Sequence, residues 1–293
     1  MTHKYLHRKK SRVSSPFLKM AMGISLFGFL GFYLIPFLVS VFYAFTNNPI
    51  QKEFVGFRNF RELFGNQFFL LGLRNTIWFL AFSLPLGMIL SLFLAMAIKK
   101  AHYFSGILTL LFLVPLVLPS ASIAQYWREV YVDGLNFLRS LSGSEPLQLL
   151  GEWESRWFMT SIYVWKYMGY NTVLLQAGLY SIPEEYYQCA SLLGAGGWQK
   201  FRYITLVYLS PSFFIVFIMS FVNSFKVFRE IYFVYGGYPA EGMYLLQHFM
   251  NSTLLSLNYQ KLVSAVYVLT LLVAVVVVAA LKMEKRISQN LVD

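Results

Sequence analysis

The sequence predicts an all-α integral membrane protein built from six membrane-spanning helices. Of its 293 residues, 57% are hydrophobic and 13% are charged, and the mean hydropathy is +0.56. A soluble domain carries about 25% charged residues, so a soluble enzyme and a disordered protein are excluded. The apolar runs, such as Leu271–Leu281, are continuous and do not alternate as membrane β-strands do. The single cysteine, Cys189, excludes a disulfide-built secreted domain.

Six segments have the roughly 20 predominantly apolar residues that a membrane span needs. They are Phe17–Phe45, Asn75–Ile98, Phe104–Tyr126, Trp157–Leu179, Ile204–Tyr232 and Leu262–Leu281. The first apolar run, Met20–Phe45, is longer than the roughly 7–15 residues of a signal-peptide core, so we expect it to be retained. Residues 1–19 then form a basic tail that contacts anionic lipid headgroups and binds no nucleic acid. The spans occupy 20–286, and 287–293 form a C-terminal tail.

The distribution of Lys and Arg predicts the orientation of the chain. With the N-terminus inside, thirteen of these residues flank the inner ends of the spans and eight flank the outer ends. Cytoplasmic loops carry the excess of positive charge, so both termini are expected in the cytoplasm. The segment from Glu129 to Glu154, with five carboxylates, then lies outside.

Prolines lie within each of the first three predicted spans. Pro36 lies in the first, Pro85 in the second, and Pro115 and Pro119 in the third. Each removes a backbone hydrogen bond and kinks its helix, and the freed carbonyls are tolerated only against protein or a wet cavity. We expect kinked helices around a central space, an arrangement that favours a conduit over ordinary packing.

The loop 181–203, between spans four and five, is predicted to be structured. Ser181 can cap a helix over Glu184–Leu193, and two acids in the first turn suit the positive end of the helix dipole. Gly194 then ends this helix, and a second helical piece begins near Trp198. The loop is either a simple connector or a docking element for a cytoplasmic partner.

Four passages, in order along the chain, carry a resemblance to a known family. They are Phe54–Phe60; Trp165–Asn171; Gln188-Cys189-Ala190 with Gly194 and Ile204-Thr205-Leu206; and Asn223–Phe228 with Gly236–Ala240. The third passage has the spacing of the EAA loop. Together they resemble permease subunits of binding-protein-dependent ABC importers, of the carbohydrate-uptake (maltose, glycerol-phosphate and multiple-sugar) type.

The resemblance implies a six-helix type I importer fold with a cytoplasmic coupling helix, in the cytoplasmic membrane of a prokaryote. The expected partners are a second permease, an ATPase dimer that holds ATP and Mg, and an extracytoplasmic solute-binding protein. This chain lacks a phosphate-binding loop of the G-x-x-x-x-G-K-[ST] kind, so no catalytic residue, cofactor or metal site is expected on it. The expected ATPase-coupling residues are Glu184, Glu185, Gln188, Cys189, Ala190, Gly194 and Ala195.

The loop departs from the family pattern at four positions. Gln188 replaces the acidic residue, Cys189 the first alanine, Leu193 an aspartate and Val207 a proline. A charge-assisted contact contributes about 1.5–3 kcal/mol against about 0.5–1.5 for a neutral one, so we expect weaker ATPase docking here. A different partner permease that carries the intact loop is therefore preferred, which makes a heterodimer.

Polar groups within the spans are the candidates for the substrate path, because ionisable residues inside the membrane are functional by default. Lys166 lies near the midplane and either faces substrate or stabilises packing. The neutral candidates are Gln125, Tyr170, Asn171, Gln176, Asn223 and Ser224. Lys226 and Arg229, with Glu230 as neighbour, are expected at the outer end of span five, and no carboxylate is expected deep in a span.

Two other functions remain open from the sequence. A secondary transporter is typically built from inverted repeats, and none is evident here. A membrane scaffold without transport has no feature that excludes it. An intramembrane hydrolase is disfavoured because neither G-x-S-x-G nor H-E-x-x-H occurs.

Overall fold

The computed structural model describes residues 16–47, 53–143 and 150–289, and these residues are largely helical. The helices are α1 (Pro16–Phe29), α2 (Ile35–Ala44), α3 (Arg58–Phe64), α4 (Gln67–Lys100), α5 (Ser105–Val117), α6 (Ser120–Leu141), α7 (Glu152–Tyr180), α8 (Glu184–Leu192), α9 (Gly197–Lys200), α10 (Leu206–Ser224), α11 (Val227–Tyr235), α12 (Leu246–Leu255) and α13 (Tyr259–Gln289). Short π-helical turns, Leu30–Leu34 and Phe201–Thr205, join α1 to α2 and α9 to α10.

Helices occupy all six predicted span positions, but only four are long and apolar enough to cross a membrane within the described residues. They are Lys19–Ala44, Gln67–Lys100, Gly197–Tyr235 and Tyr259–Arg286, and the bent pair α5–α6 makes a fifth if counted as one span. The predicted fourth span lies within α7, a 29-residue helix that is too polar to be counted with them. The count of six spans and the orientation stay predictions. Most of the predicted tail 1–19, and residues 290–293, lie outside the described residues.

The third predicted span, Phe104–Tyr126, is broken more sharply than the kink that its prolines predict. Helix α5 ends at Val117, α6 begins at Ser120, and the two are bent by 101°. Leu118 has an extended backbone, φ −67° and ψ 143°, because the residue before a proline is disfavoured in the α region. Pro119 therefore starts a new helix, whereas Pro115 stays inside α5. In the first span, a π-helical turn precedes Pro36, so that helix continues.

Helix α7 lies at the centre of the fold, packed against α4, α5 and α10. Its apolar contacts include Phe158 and Tyr163, which are fully buried, and the Tyr163 hydroxyl donates a 2.8 Å hydrogen bond to the Ser220 carbonyl on α10. Gly169 is needed at the contact with α5, because a Cβ there would overlap with the carbonyl oxygen of Phe112. The approach of α5 to α7 thus depends on one missing side chain.

The N-terminal end of α7 is joined to α4 by a hydrogen bond and an ion pair, and α4 is hydrogen-bonded to the turn before α12. Asn75, on α4, donates a hydrogen bond of 3.0 Å to the Tyr244 carbonyl, and Arg156 donates one of 3.2 Å to the Asn75 side-chain oxygen. Glu152 pairs with Arg74 at 2.8 Å and also with Arg156. These polar contacts position the segment that leads into α12.

Helices α1 and α2 have few contacts with the rest of the described chain. Most side chains of α1 from Lys19 onward are exposed. Helix α2 packs on α13, where Tyr267 donates a 2.6 Å hydrogen bond to the Phe37 carbonyl and its hydroxyl lies 2.7 Å from that of Ser40. The apolar surface of α1 is therefore available to lipid or to a second chain.

Candidate functional site

A buried ion pair links three elements of the fold. The Lys166 ammonium on α7 lies 2.5 Å from Glu230 Oε1 on α11, and the side chains are 6% and 1% exposed. The same ammonium donates a 3.1 Å hydrogen bond to Ser120 Oγ, at the start of α6. Because a charge buried without a partner is strongly unfavourable, this arrangement holds α7, α11 and the α5–α6 break together.

Glu230 is the functional candidate that the sequence reasoning missed, because it is buried against Lys166 and is not only a neighbour of Lys226 and Arg229. Val227, Glu230 and Ile231 occupy positions i, i+3 and i+4 of α11, and all three are buried. Lys226 and Arg229 are exposed, as expected for residues outside this face. The helical spacing of Glu230 with two apolar residues was the signal that pointed inward.

The neutral candidates fall into separate places. Asn171 and Gln176 are buried on α7, where Gln176 Oε1 accepts a 3.2 Å hydrogen bond from Thr109 of α5. Asn171 Oδ1 and Gln176 Nε2 have no hydrogen-bond partner among the described residues. Such buried unsatisfied atoms are rare in folded proteins, so these two positions require an explanation.

The other candidates are placed differently. Asn223 and Ser224 are buried at the junction of α10 and α11, and Asn223 Oδ1 accepts a 2.8 Å hydrogen bond from Lys226. Ser224 Oγ donates a 2.6 Å hydrogen bond to the Phe221 carbonyl. Tyr170 is half-buried, and Gln125 is exposed on α6 because the break at Pro119 turns that helix away. The structure therefore does not bring Gln125 into the interior beside Lys166.

The loop between α7 and α10 is a helix, a glycine turn and a second helix, as predicted. Ser181 does not cap α8: Pro183 is at the N-cap, and Ser181 Oγ instead donates a 2.7 Å hydrogen bond to the Gly178 carbonyl. Gly194 has φ +79°, and the Gly194 and Ala195 N–H groups bond to the Ser191 and Ala190 carbonyls at 3.0 and 2.9 Å. This Schellman arrangement requires the left-handed conformation that glycine adopts without strain.

The side of the loop that faces the helix bundle packs against the ends of the long helices. Ile182 is buried in an apolar cluster with Leu179 and Leu209. The hydroxyls of Tyr187, on α8, and Thr205, just before α10, lie 3.0 Å apart. Helix α8 is therefore connected to both α7 and α10 through side chains as well as through the backbone.

Lys99, at the end of α4, adds a further attachment that the sequence reasoning counted only as an inner charge. Its ammonium donates a 3.0 Å hydrogen bond to the Leu179 carbonyl, near the C-terminus of α7, where positive charge is favourable. It also lies 5.8 and 5.7 Å from the ring centroids of Tyr180 and Tyr187. The loop is thus supported by α4 as well.

The side of the loop that faces away from the helix bundle is exposed. Glu184, Glu185, Gln188 and Cys189 are accessible, Gly194 is exposed in the turn, and Ala190 and Ala195 are half-buried beneath it. Two large apolar side chains, Leu192 and Leu193, are 89% and 84% exposed, and Trp198 is 68% exposed. Exposed apolar side chains on an anchored helix are typical of a protein contact surface.

Comparison with known proteins agrees with this architecture. The family model of the binding-protein-dependent transport system inner membrane component matches residues 1–291. The trehalose/maltose transport system permease protein MalF of Thermococcus litoralis is 32% identical over 216 residues, covering 72% of this chain and 71% of that protein. The probable ABC transporter permease protein YesP of Bacillus subtilis is 30% identical over 239 residues, covering 76% and 77%.

A solved structure has the same fold. It is a chain of a bacterial alginate ABC transporter in complex with an alginate pentasaccharide-bound periplasmic protein, and it superposes with a TM-score of 0.76. The alignment covers 92% of this chain and 95% of that chain, at 21% identity. These comparisons confirm the resemblance found in the sequence: the protein belongs to the family of binding-protein-dependent transport system inner membrane components.

Proposed function

We propose that this chain is the permease subunit of an ABC importer that moves a carbohydrate or a similar hydroxylated solute across the cytoplasmic membrane. Family membership and the names of the relatives, which include a trehalose/maltose permease, support this proposal. The structural observation that carries it is the loop between α7 and α10. One side of this loop packs against the helix bundle and the opposite side is exposed. A secondary transporter or a scaffold has no need of such an element.

Helix α8 is proposed to act as the coupling helix that an ATPase subunit contacts. The apolar side chains Leu192, Leu193 and Trp198 supply contact area, and Glu184, Glu185, Gln188 and Cys189 lie on the exposed surface of the same loop. The ATPase dimer supplies the binding energy of ATP and Mg, which favours one of the two access states. This chain carries out no catalysis in the proposal.

A movement of α8 would be transmitted to the long helices through the contacts that the loop makes with the helix bundle. Ile182 packs against α7 and α10, and the Tyr187–Thr205 hydrogen bond joins α8 to the start of α10. A displacement of α8 therefore moves the ends of both long helices together, as a rigid-body rearrangement. Because α7 and α10 pack directly on one another, their movement would change the side of the membrane from which solute enters the path.

The substrate path is proposed to run beside α7, where Lys166, Tyr170, Asn171 and Gln176 are located. Unsatisfied amide atoms on Asn171 and Gln176 suit the hydroxyl groups of a sugar, because a hydroxyl both donates and accepts hydrogen bonds. The Lys166 ammonium is paired with Glu230, so its proposed role is to fix the helices that line the path and not to bind solute directly. In the proposed topology of six spans with both termini in the cytoplasm, the loop lies on the ATPase side.

The remaining partners are a second, different permease and an extracytoplasmic solute-binding protein. Gln188 lacks the charge that would strengthen an ATPase contact, so a partner permease with an acidic residue at this position is expected to dock more tightly. The alginate transporter, which shares the fold, was solved with its periplasmic protein bound. A matching subunit is proposed for the outer face here.

Cross-linking from Cys189 tests the proposed function. Cys189 is the single cysteine of the chain and is exposed on α8. In the assembled complex, a short heterobifunctional reagent attached to Cys189 should capture the ATPase subunit, and Cys189→Ser should abolish the product. Uptake of labelled saccharide should stop on ATP depletion and continue with an uncoupler. Capture of no ATPase, or uptake that follows the proton gradient, would overturn the proposal.

A further inference from the structure

A polar pocket lies apart from both the Lys166–Glu230 pair and the loop between α7 and α10. It opens where α3 approaches the turn between α12 and α13, and its volume is about 370 Å³. Ligand pockets are commonly about 300–1,000 Å³ but are lined mainly by apolar side chains. Here the lining side chains are nearly all polar: Asn59, Glu62, Ser256, Asn258, Gln260 and Lys261. A pocket of this composition has no role in packing the apolar core.

Gln260 supplies a hydrogen-bond donor that the fold leaves unused. Its side chain lines the pocket and is 9% exposed, and its Nε2 has no hydrogen-bond partner among the described residues. Most buried polar atoms in proteins are satisfied, so an amide group in this condition requires an explanation. A ligand with an acceptor oxygen would provide the missing partner.

The neighbouring side chains add charges of both signs. Asn59 is held in place because its Nδ2 donates hydrogen bonds of 2.8 and 2.9 Å to the carbonyls of Ala44 and Thr46. Glu62 is half exposed and receives one hydrogen bond from Arg58 at 2.8 Å. The Lys261 ammonium forms no salt bridge with a described carboxylate. The pocket therefore offers a carboxylate acceptor together with amide and ammonium donors.

This combination selects for the chemistry of the ligand. A hydroxyl group can donate to the Glu62 carboxylate and accept from Gln260 or Lys261, so a polyhydroxylated neutral molecule matches the whole set. An anion would be repelled by Glu62 and a cation by Lys261. The surface also lacks the apolar centre that is typical of a protein–protein interface.

The backbone beside the pocket is strained. Leu257 has φ +56°, the one described non-glycine residue with a positive φ, and it lines the pocket. It ends α12 in the same Schellman arrangement that Gly194 makes after α8, with hydrogen bonds from Leu257 and Asn258 to the carbonyls of Leu254 and Thr253. Strained positions of this kind are concentrated at ligand sites. The wall of the pocket is thus kept in an unfavourable conformation by its surroundings.

We propose that this pocket is a saccharide-binding site, in which a sugar unit contacts Glu62, Gln260 and Lys261 outside the path beside α7. The inference rests on the proposed function for the identity of the solute class. Its place between α3 and the start of α13 would put it on the outer face, where a solute arrives before it enters the membrane.

Photoaffinity labelling of the complete transporter in nanodiscs tests the proposal. The probe is maltose that bears a diazirine, and the labelled peptides are identified by mass spectrometry. We expect labelling of the segment 253–261, competition by excess maltose, and an at least tenfold decrease in Gln260→Ala and in Glu62→Gln. Gln67→Ala, which alters an exposed amide at the start of α4, is the matched control and should label as the wild type does.

Two readouts separate this proposal from the proposed function. Import of labelled maltose by the same complex reports on transport, and labelling of 253–261 reports on the pocket. Import without competed labelling of this segment overturns the pocket and leaves transport standing. Glu62 is half exposed, so Glu62→Gln keeps the test valid if Gln260→Ala fails to fold.

Discussion

Lys166 and Glu230 are separated by 64 positions in the sequence, yet their side chains form a buried ion pair of 2.5 Å. The pair joins the central helix α7 to α11, and the hydrogen bond from Lys166 to Ser120 adds the start of α6. Two charges in a low-dielectric interior are tolerated only as a pair. Loss of either partner therefore affects three elements at once.

Lys166→Met should destabilise the protein because it leaves the Glu230 carboxylate buried without a partner. Removing one member of a buried ion pair costs about 3–5 kcal/mol. The free energy of unfolding in detergent, measured by denaturant titration with tryptophan fluorescence, gives the comparison. The double variant Lys166→Met with Glu230→Leu should recover most of the loss, because no uncompensated charge remains. Equal instability of the single and double variants would contradict the role assigned to the pair.

Gly169→Ala should separate α5 from α7. The added methyl group would overlap with the Phe112 carbonyl oxygen, and overpacking of this kind costs about 1–3 kcal/mol. Gly106→Ala is the matched control. Gly106 lies on α5, as Phe112 does, but a Cβ at Gly106 meets nothing within 4 Å. That control should be neutral or stabilise by about 0.4–1 kcal/mol through the unfolded state. Thermal unfolding of both variants in one detergent decides, and a Gly169→Ala protein as stable as the control would disprove the close contact.

Cys189 should react with a membrane-impermeant maleimide only from the cytoplasmic side. The thiol is exposed on α8, and the predicted orientation places that helix inside the cell. Inside-out vesicles should therefore be labelled and intact cells should not. Cys189→Ser removes the single thiol and gives the background. Labelling of intact cells would reverse the orientation and remove the ATPase from reach of the loop.

Acid should destabilise the region around α12. His248 is fully buried, its Nδ1 accepts a 3.0 Å hydrogen bond from the Leu245 N–H, and burial lowers its pKa from 6.5 to about 4. Between these values the unfolded chain binds a proton that the folded chain does not, so stability is lost as the pH falls. At about 1.4 kcal/mol for each pKa unit, the loss approaches roughly 3 kcal/mol near pH 4.

Melting temperatures measured from about pH 7 down to about pH 4.5 check this expectation. His248→Gln keeps a hydrogen-bond acceptor near Leu245 and removes the titration, so its melting temperature should vary less over this range. An identical slope in both proteins would assign the acid sensitivity to other groups.

Local patterns in the sequence are sufficient for much of this fold. The length of the apolar segments predicted helices at every span position, and the positions of Glu184, Gly194 and Trp198 predicted the helix–turn–helix loop. Gly194 is predictable because its role is local: the turn needs a left-handed residue, and the hydrogen bonds that form it come from neighbours.

Features that depend on distant contacts were not predictable in the same way. The close approach at Gly169 depends on Phe112, which is remote in sequence, and the polarity of α7 becomes understandable only when its neighbours cover it. Glu230 is intermediate, since its helical spacing indicated an inward face but its partner Lys166 lies on another helix. The break at Pro119 was recognised as a kink, but its size, 101°, follows from Leu118 leaving the helical conformation.

The bend between α5 and α6 has a consequence for the membrane around the protein. The 13 residues of α5 extend about 20 Å, whereas the hydrocarbon core is about 30 Å thick. In the predicted topology the chain turns sideways before it has crossed the lipid, and α6 continues from that depth. The exposed polar side chains of α6, which include Gln125, Arg128 and Glu129, cannot lie against acyl chains, so the bilayer must thin there or leave a water-filled recess.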